Sequence, residues 1–244
     1  SVPGEKAGAR ILGLEEFNRH LDCFQKQGYN EAEPARMYVG GKQEAWTRDA
    51  KWKDIGLTLA TKIYPQQVGM HDPSRLRELF TSSLTELGCD SVDIFYLCAP
   101  DRSVPYEDTL AEVNRFYQEG RFKQLDLSNY AACDWDVAEI CTIAKDRGWF
   151  KPSINQSMDN AIRGLYCGKI KPAELVHTDG RFSESYKYGK IYRYRFLKKA
   201  NMEALKIVEE ATCTRKHSLT LLETAMRWVI HHSALNSNIE GQGR

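Results

Sequence analysis

The chain has 244 residues, and its 34 basic and 33 acidic side chains leave a net charge of +1. This balance excludes nucleic acid and membrane surfaces as expected partners, because binding to their phosphates relies on a basic excess. The length suits one α/β domain, and seven cysteines without regular spacing predict free thiols in a soluble cytoplasmic protein.

Hydrophobic periods and capping residues predict alternating helices and strands. In chain order we predict a helix over 14–27, a strand over 29–35, a helix before Trp52, a strand over 57–61, a helix over 72–87, a strand over 92–97, a helix over 106–119, a strand over 122–127, a helix over 134–145 and a short strand after Pro152. Such alternation is typical of βαβ units with a parallel sheet.

The alternation ends after Asn160. Residues 163–194 contain turn residues, tyrosines and charges but no strand pattern, and two predicted helices, 200–215 and 220–232, follow. Five predicted strands are fewer than the eight of a closed barrel. We therefore predict an α/β fold, an incomplete (β/α)8 TIM-barrel-like fold with about five parallel strands.

Five short segments carry a resemblance to a known family. They are Ala35-Arg36-Met37-Tyr38, Leu59-Ala60-Thr61-Lys62, Val92-Asp93-Ile94-Phe95-Tyr96-Leu97, Leu127-Ser128-Asn129-Tyr130 and Thr224-Ala225-Met226-Arg227-Trp228. In this order and spacing they resemble the aldo-keto reductases, most of all the aflatoxin-aldehyde reductase branch and its fungal relatives. The resemblance implies a (β/α)8 barrel that reduces carbonyls with NADPH. Compared with that barrel, residues 1–244 are expected to form a single domain that lacks the first, seventh and eighth strands.

The resemblance also implies a catalytic tetrad of Asp, Tyr, Lys and His. In these enzymes the tyrosine gives a proton to the carbonyl oxygen, and the lysine assists because an unassisted tyrosine is a poor acid near neutral pH. The tyrosine matches Tyr38 and the lysine matches Lys62. Glu33 stands at the aspartate position and Cys98 at the histidine position, where a thiol is only a weak donor. Cys98 is either a nucleophile activated by a nearby cation or a buried thiol.

Further residues match the cofactor and substrate positions of the family. Those that the resemblance assigns to the nicotinamide carboxamide are Ser128, Asn129 and Gln156. Those that it assigns to the substrate are Asp159, Arg193 and Arg195, and surface charge is the alternative for the two arginines. The family's loop around the adenosine phosphate has no match. Each lost charge-assisted contact weakens dinucleotide binding by roughly 1.5–3 kcal/mol, so we expect no bound cofactor unless reductase activity survives with NADPH.

Three functions follow from this pattern. The first is a cofactor-independent isomerase, cyclase or lyase that acts on a carbonyl-bearing small molecule, and the family likeness suggests fungal secondary metabolism as its setting. In that enzyme Tyr38 is the acid and Lys62 is the electrostatic partner of the acid. Glu33 or Asp159 is the base. The second is an NADPH-dependent aldehyde or ketone reductase whose cofactor site is completed by a partner subunit. The third is a non-catalytic protein that binds a ligand or regulates a full-length relative.

Two further expectations concern assembly and metals. A parallel sheet without its full set of strands exposes edges that invite pairing with another chain, which predicts a homodimer or a domain-swapped oligomer. We expect no metal site, because the adjacent His231 and His232 diverge in direction on a helix.

Overall fold

A computed structural model describes residues 11–130, 135–156, 182–186, 189–213, 219–221, 223–224 and 227. The chain divides into two compact units, Ser1–Ser157 and Met158–Arg244. Within the described residues, no helix has both the length and the apolar character that crossing a bilayer requires.

The first unit is built on five parallel strands that neighbour one another in sequence order. The strands are β1 (Glu31–Ala32), β2 (Thr58–Ile63), β3 (Val92–Cys98), β4 (Phe122–Ser128) and β5 (Asn155–Gln156). The helices of this unit are α1 (Leu14–Lys26), α2 (Gln43–Asp49), α3 (Pro73–Leu87), α4 (Tyr106–Gln118) and α5 (Asp136–Arg147). Successive βαβ units give this order, and the incomplete (β/α)8-like fold expected from the sequence is confirmed.

The apolar core lies between the sheet and its helices. Alternate residues of the three longest strands belong to one buried cluster with residues of α3, α4 and α5. Phe95 of β3 is fully buried, and its ring centroid lies 4.3 Å from that of Phe80 on α3 and 6.1 Å from that of Phe116 on α4. This packing holds the strands against the helices and thereby positions the strand ends.

The opposite face of the same strands has a different character, because successive side chains of a strand point to opposite faces. The parallel register pairs Lys62 of β2 with Tyr96 of β3, and Tyr96 with Asp126 of β4. All three side chains are buried. Ionisable groups therefore lie side by side across the inner face of the sheet.

The capping residues predicted for the two ends of α3 are present in the structure. The Asp72 carboxylate accepts a hydrogen bond from the Ser74 backbone N–H at 3.1 Å, and Pro73 opens the helix. At the other end Gly88 adopts a left-handed conformation with φ 67°, which glycine tolerates without steric cost. The predicted cap and stop of this helix are confirmed.

Two elements differ from the prediction. The strand predicted over 29–35 contains only the two ladder residues Glu31–Ala32, and Pro34, two residues further on, has no N–H to continue the ladder. In the second unit, α7 (Lys199–Cys213) matches a predicted helix, whereas α6 (Gly189–Phe196) was not predicted. Most of the helix predicted over 220–232 lies outside the described residues.

The second unit holds a small aromatic cluster. Phe182 and Phe196 are buried and pack with Tyr192 of α6. The Tyr192 and Phe196 rings, four residues apart, have centroids 5.7 Å apart, the spacing at which side chains meet on one helix face. Burial of these rings accounts for a helix in a segment whose sequence is rich in tyrosines and charges.

Candidate active site

The predicted catalytic residues of the first unit come together at the carboxyl ends of the strands. Glu33 follows β1, Lys62 lies near the end of β2, Cys98 ends β3, Ser128 ends β4 and Gln156 ends β5. In parallel α/β sheets the strands end on one edge, and sites form there. The register of the sheet therefore brings together residues that are far apart in the chain.

Lys62 is the centre of this group. Its side chain is 4% exposed and forms an ion pair with Glu33, whose side chain is 24% exposed. The Lys62 ammonium also lies 3.5 Å from Gln156 Oε1 and 5.5 Å from the ring centroids of Tyr38 and Tyr96. A buried cation needs such partners to offset its lost hydration.

The environment keeps Lys62 charged. Burial alone lowers the pKa of Lys62, but the hydrogen bond to Glu33 and the charge and hydrogen bond of the neighbouring Tyr38 hydroxyl raise it, and the net shift is upward. The side chain is consequently a permanent ammonium near neutral pH. A fixed positive charge beside a phenol is the arrangement that stabilises a tyrosinate.

Glu33 reaches two partners with its two oxygens. Its Oε1 accepts a hydrogen bond from the Lys62 ammonium, and its Oε2 accepts one from Gln156 Nε2 at 2.6 Å. Glu33, which stands at the aspartate position, thus forms an ion pair with the lysine and also ties it to the end of β5.

Tyr38 is placed to meet a small molecule. It begins a short 3-10 turn, Tyr38–Gly41, and remains 39% exposed although its ring lies beside the buried Lys62. A phenol that is open to solvent on one side and contacts an ammonium on the other can exchange a proton with a bound substrate.

Three non-glycine residues at or beside the site have positive φ angles. Val39, directly after Tyr38, has φ 52° and ψ 40°, a left-handed conformation that is unfavourable for a β-branched residue. Ala99 follows Cys98 with φ 65°, and Asn129 has φ 60°. Such outliers persist where the surrounding structure imposes them, and they cluster at functional sites.

The predicted cofactor residues form one hydrogen-bonded group. Ser128 Oγ donates to Gln156 Oε1 at 3.4 Å, and Asn129 Nδ2 lies 3.4 Å from Ser128 Oγ. The side chains of Asn129 and Gln156 are also exposed. Two amides and a hydroxyl provide both donors and acceptors, so this set fits the carbonyl and amino groups of a nicotinamide carboxamide.

Cys98 lies inside the site. It is 2% exposed, and its Sγ accepts a hydrogen bond from Asn129 Nδ2 at 3.3 Å. Within the described part of the chain, this amide is the polar partner that the thiol contacts. The environment therefore favours a buried thiol over a nucleophile activated by direct contact with a cation.

The other residues named from the sequence belong to the second unit of the chain. Asp159, His231 and His232 lie outside the described residues, as does the side chain of Arg195. Arg193 belongs to α6 of the second unit, where its Nη1 donates to the Phe182 carbonyl at 2.5 Å. Among the described residues, no cluster of three or more His, Cys, Asp or Glu side chains could hold a metal ion.

Sequence analysis missed two residues that contact the site. Tyr96 lies against Lys62, and the parallel register places Asp126 beside Tyr96. Both residues belong to predicted strands, and no role in the site was assigned to either. A carboxylate in the middle of the predicted strand over 122–127 was an available signal, because central strands of parallel sheets are usually apolar throughout.

Comparison with known proteins agrees with this geometry. The model of the aldo/keto reductase family matches residues 12–242. Aldo-keto reductase pigE of Monascus ruber is 31% identical, covering 96% of this chain and 78% of that protein. Aflatoxin B1 aldehyde reductase member 2 of Mus musculus is 33% identical, covering 93% of this chain and 73% of that protein.

A solved structure supports the fold. The glycerol dehydrogenase AKR11B4 of Gluconobacter oxydans superimposes with a TM-score of 0.60 at 20% identity, covering 94% of this chain and 76% of that one. At this identity the likeness concerns the fold alone. The family model and the relatives above 30% identity bear out the resemblance seen in the sequence, and the chain belongs to the aldo/keto reductase family.

Proposed function

We propose that the protein is an NADPH-dependent reductase of an aldehyde or ketone. The observation that carries this proposal is the assembled group of Tyr38, Lys62 and Glu33 beside the carboxamide-binding set at the ends of β4 and β5. The names of the relatives, which include aldehyde reductases, support the same reaction class. They give no support to the loss of the cofactor that the sequence led us to expect.

The chain's own residues divide the chemistry among them. When bound, NADPH supplies a hydride to the substrate carbonyl carbon. Tyr38 donates its proton to the carbonyl oxygen, and the Lys62 ammonium stabilises the tyrosinate that is left. Glu33 holds Lys62 in place through the ion pair. Ser128, Asn129 and Gln156 would hold the nicotinamide carboxamide by its donors and acceptors.

A cofactor titration tests the proposal first. NADPH is added to the purified protein and followed by tryptophan quenching or calorimetry, with binding in the micromolar range expected. Turnover of a panel of aldehydes is then measured for the wild type and for Tyr38→Phe, which should lose about 100-fold or more in kcat while it still binds NADPH. Tyr117→Phe changes a tyrosine of α4 with similar exposure and is the matched control.

Two results would contradict the proposal. Absence of binding at millimolar NADPH leaves hydride transfer without a donor. Full activity of Tyr38→Phe removes the assigned proton donor even if NADPH binds.

One observation favours a second candidate, a cofactor-independent isomerase, cyclase or lyase acting on a carbonyl-bearing molecule. The Gln156 amide is already bonded to Glu33 and lies within reach of Lys62, so the polar group is satisfied without a cofactor. In this reaction Tyr38 is the acid and Glu33 the base. Conversion of a carbonyl substrate without NADPH, lost in Tyr38→Phe, distinguishes this candidate from the reductase.

The edge strand β1 suggests that the chain associates with a second copy of itself. Within the described residues, β1 has only two ladder residues and pairs only with β2. An edge with unpaired backbone groups can accept another chain, so we propose a homodimer or a domain-swapped oligomer that also completes the cofactor site. Light scattering after size exclusion checks this, and a monomer of 28.0 kDa at micromolar concentration contradicts it.

A further inference from the structure

Asp126 is a buried carboxyl group that the mechanism above does not use. It is 0% exposed and lies on the inner face of β4, away from the apolar core. It accepts hydrogen bonds from Gln124 Nε2 at 2.8 Å and from the Ile154 backbone N–H at 2.9 Å. No ion pair of the described residues includes it. A buried carboxylate needs compensation beyond neutral donors.

The Lys62 ammonium lies in the same row across the sheet, with Tyr96 between Lys62 and Asp126. The register places Tyr96 beside Asp126 on one side and beside Lys62 on the other. The Tyr96 ring centroid is 5.5 Å from the Lys62 ammonium, and the register places the Tyr96 and Asp126 side chains next to each other on one face of the sheet. The negative face of the ring attracts the cation, and Tyr96 stands between that cation and the Asp126 carboxyl group in the row. Tyr96 therefore connects the two charged groups.

We propose that Asp126 is a second counter-ion of the Lys62 ammonium, acting through Tyr96, and thereby a positioning residue for the Tyr38–Lys62 pair. Glu33 is the first counter-ion, but it is partly exposed and shares its carboxylate with Gln156. Asp126 is fully buried, so a ligand that displaces Glu33 leaves it in place. The catalytic consequence rests on the proposed function, whereas the counter-ion relation does not.

The groups around Asp126 set the charge of this row. Those that face it or its partner Tyr96 are Gln124 on β4, Lys62 on β2, Glu31 and Glu33 on and after β1, and the backbone N–H groups of Ser153 and Ile154 before β5. Burial raises the pKa of Asp126 although its hydrogen-bond donors lower it. Ionisation of Asp126 therefore falls above the ordinary range of a carboxyl group and adds a negative charge beside the Lys62–Glu33 pair.

The counter-ion relation is measured without cofactor or substrate. Carboxyl carbons of aspartate are labelled with ¹³C, and the titration of Asp126 is followed by NMR in the wild type and in Lys62→Met. Loss of the cation should raise the Asp126 midpoint by about one pKa unit. Lys62→Arg keeps the charge and should stay near the wild type. Lys123→Met removes an exposed cation from the same strand and should leave the Asp126 midpoint unchanged.

The outcomes separate this inference from the reductase proposal. An Asp126 midpoint that is the same in Lys62→Met and in the wild type overturns it, and so does an equal shift in Lys123→Met. If Lys62→Met does not fold, Asp126→Asn is used instead. Reciprocity then requires the Lys62 midpoint to fall by the same amount. A Lys62 midpoint that stays unchanged in Asp126→Asn overturns the inference.

A pH profile tests the catalytic consequence. For an active reductase, the pH profile of wild-type kcat/KM should show a step at the Asp126 midpoint, because ionisation of Asp126 changes the charge beside Lys62, and this step should vanish in Asp126→Asn. A step that persists in Asp126→Asn overturns the positioning role. NMR coupling in a protein that lacks reductase activity supports the counter-ion relation while contradicting the proposed function.

Discussion

At the residue scale, Glu33 is one methylene group longer than the aspartate of the family pattern, and this length changes the partners that the carboxylate reaches. The sequence put Glu33 at the aspartate position without deciding whether it pairs with Lys62, and it gave no sign of a contact that crosses from β1 to β5. With Gln156 Nε2 only 2.6 Å from Glu33 Oε2, the amide that should hold the cofactor is engaged by the protein itself. Any carboxamide must therefore compete with Glu33 for Gln156.

We expect Glu33→Asp to strengthen NADPH binding. The shorter side chain should keep the ion pair with Lys62 but lose reach to Gln156, so the amide becomes free for the ligand. A hydrogen bond to a charged group is worth about 1.5–3 kcal/mol, and recovery of part of it gives roughly tenfold tighter binding. Calorimetry on Glu33→Asp and on Glu33→Gln, which keeps the length, measures the difference. Weaker binding by Glu33→Asp means instead that the Glu33 contact orients the amide.

Val39 contributes a strained backbone directly after Tyr38. Because left-handed conformations cost a side-chain-bearing residue roughly 1–2 kcal/mol, Val39→Gly should raise the free energy of unfolding by about 1 kcal/mol. The same change should lower kcat, since the 3-10 turn that orients Tyr38 becomes more mobile. Urea unfolding and turnover are measured together. Val68→Gly, at an exposed position of the loop after β2, is the control and should not gain stability.

At the scale of elements, the inner and outer faces of one strand have separate tasks. The outer residues of β3 join the sheet to two helices, and its inner residues support Lys62. Phe95 is the clearest outer residue, because its ring contacts those of Phe80, Phe116 and Phe122. The site's geometry depends on this packing, because the inner and outer residues belong to the same strand.

We expect Phe95→Ala to cost about 3–5 kcal/mol of stability, the range for removing a buried aromatic side chain. Phe95→Leu keeps more of the volume and should cost less. Both are measured by urea unfolding, with Tyr117→Leu on the exposed side of α4 for comparison. A loss below 1 kcal/mol in Phe95→Ala would mean that the neighbouring rings close the cavity by themselves.

The sequence predicted the long, periodic elements well because burial on one face repeats along them. The ranges expected for α3, α4, β3 and β4 lie within about two residues of those observed. Strand β1 was predicted too long, because its apolar and polar residues continue past the proline that ends the ladder. Helix α6 was missed, since packing of Tyr192 and Phe196 within the second unit decides its conformation.

The candidate site was predictable only in part for a related reason. Strand-end positions and the family resemblance led to Lys62 and Gln156, whose side chains meet at one edge of the sheet. Tyr96 and Asp126 lie within the strands, where side-chain partners depend on the register between neighbouring strands. A single sequence gives the alternation of faces but not that register.

At the scale of the whole molecule, carboxyl groups with lowered and with raised pKa values make stability depend on pH in opposite directions. Salt bridges and hydrogen bonds lower the pKa of Asp93 and Asp136 despite some burial. Their stabilisation is present above their ordinary range and is lost as the pH falls through the lowered values. Burial dominates at Glu44 and Asp126 and raises their pKa values. Stability should therefore decline on both the acid and the alkaline side.

Glu44 of α2 is the best place to test the alkaline side, because it is fully buried and lies outside the candidate site. Burial raises its pKa above the ordinary 4.5, although the Thr61 hydroxyl donates to it at 2.5 Å. The protonated form thus stabilises the fold fully below pH 4.5, and this contribution is lost as the pH rises through the folded-state value. Glu44→Gln cannot ionise, so its Tm should exceed that of the wild type at neutral pH and converge with it in acid, whereas the exposed Glu15→Gln should follow the wild type throughout. A wild type that is more stable than Glu44→Gln at neutral pH would show that the ionised carboxylate itself stabilises the junction of α2 with β2.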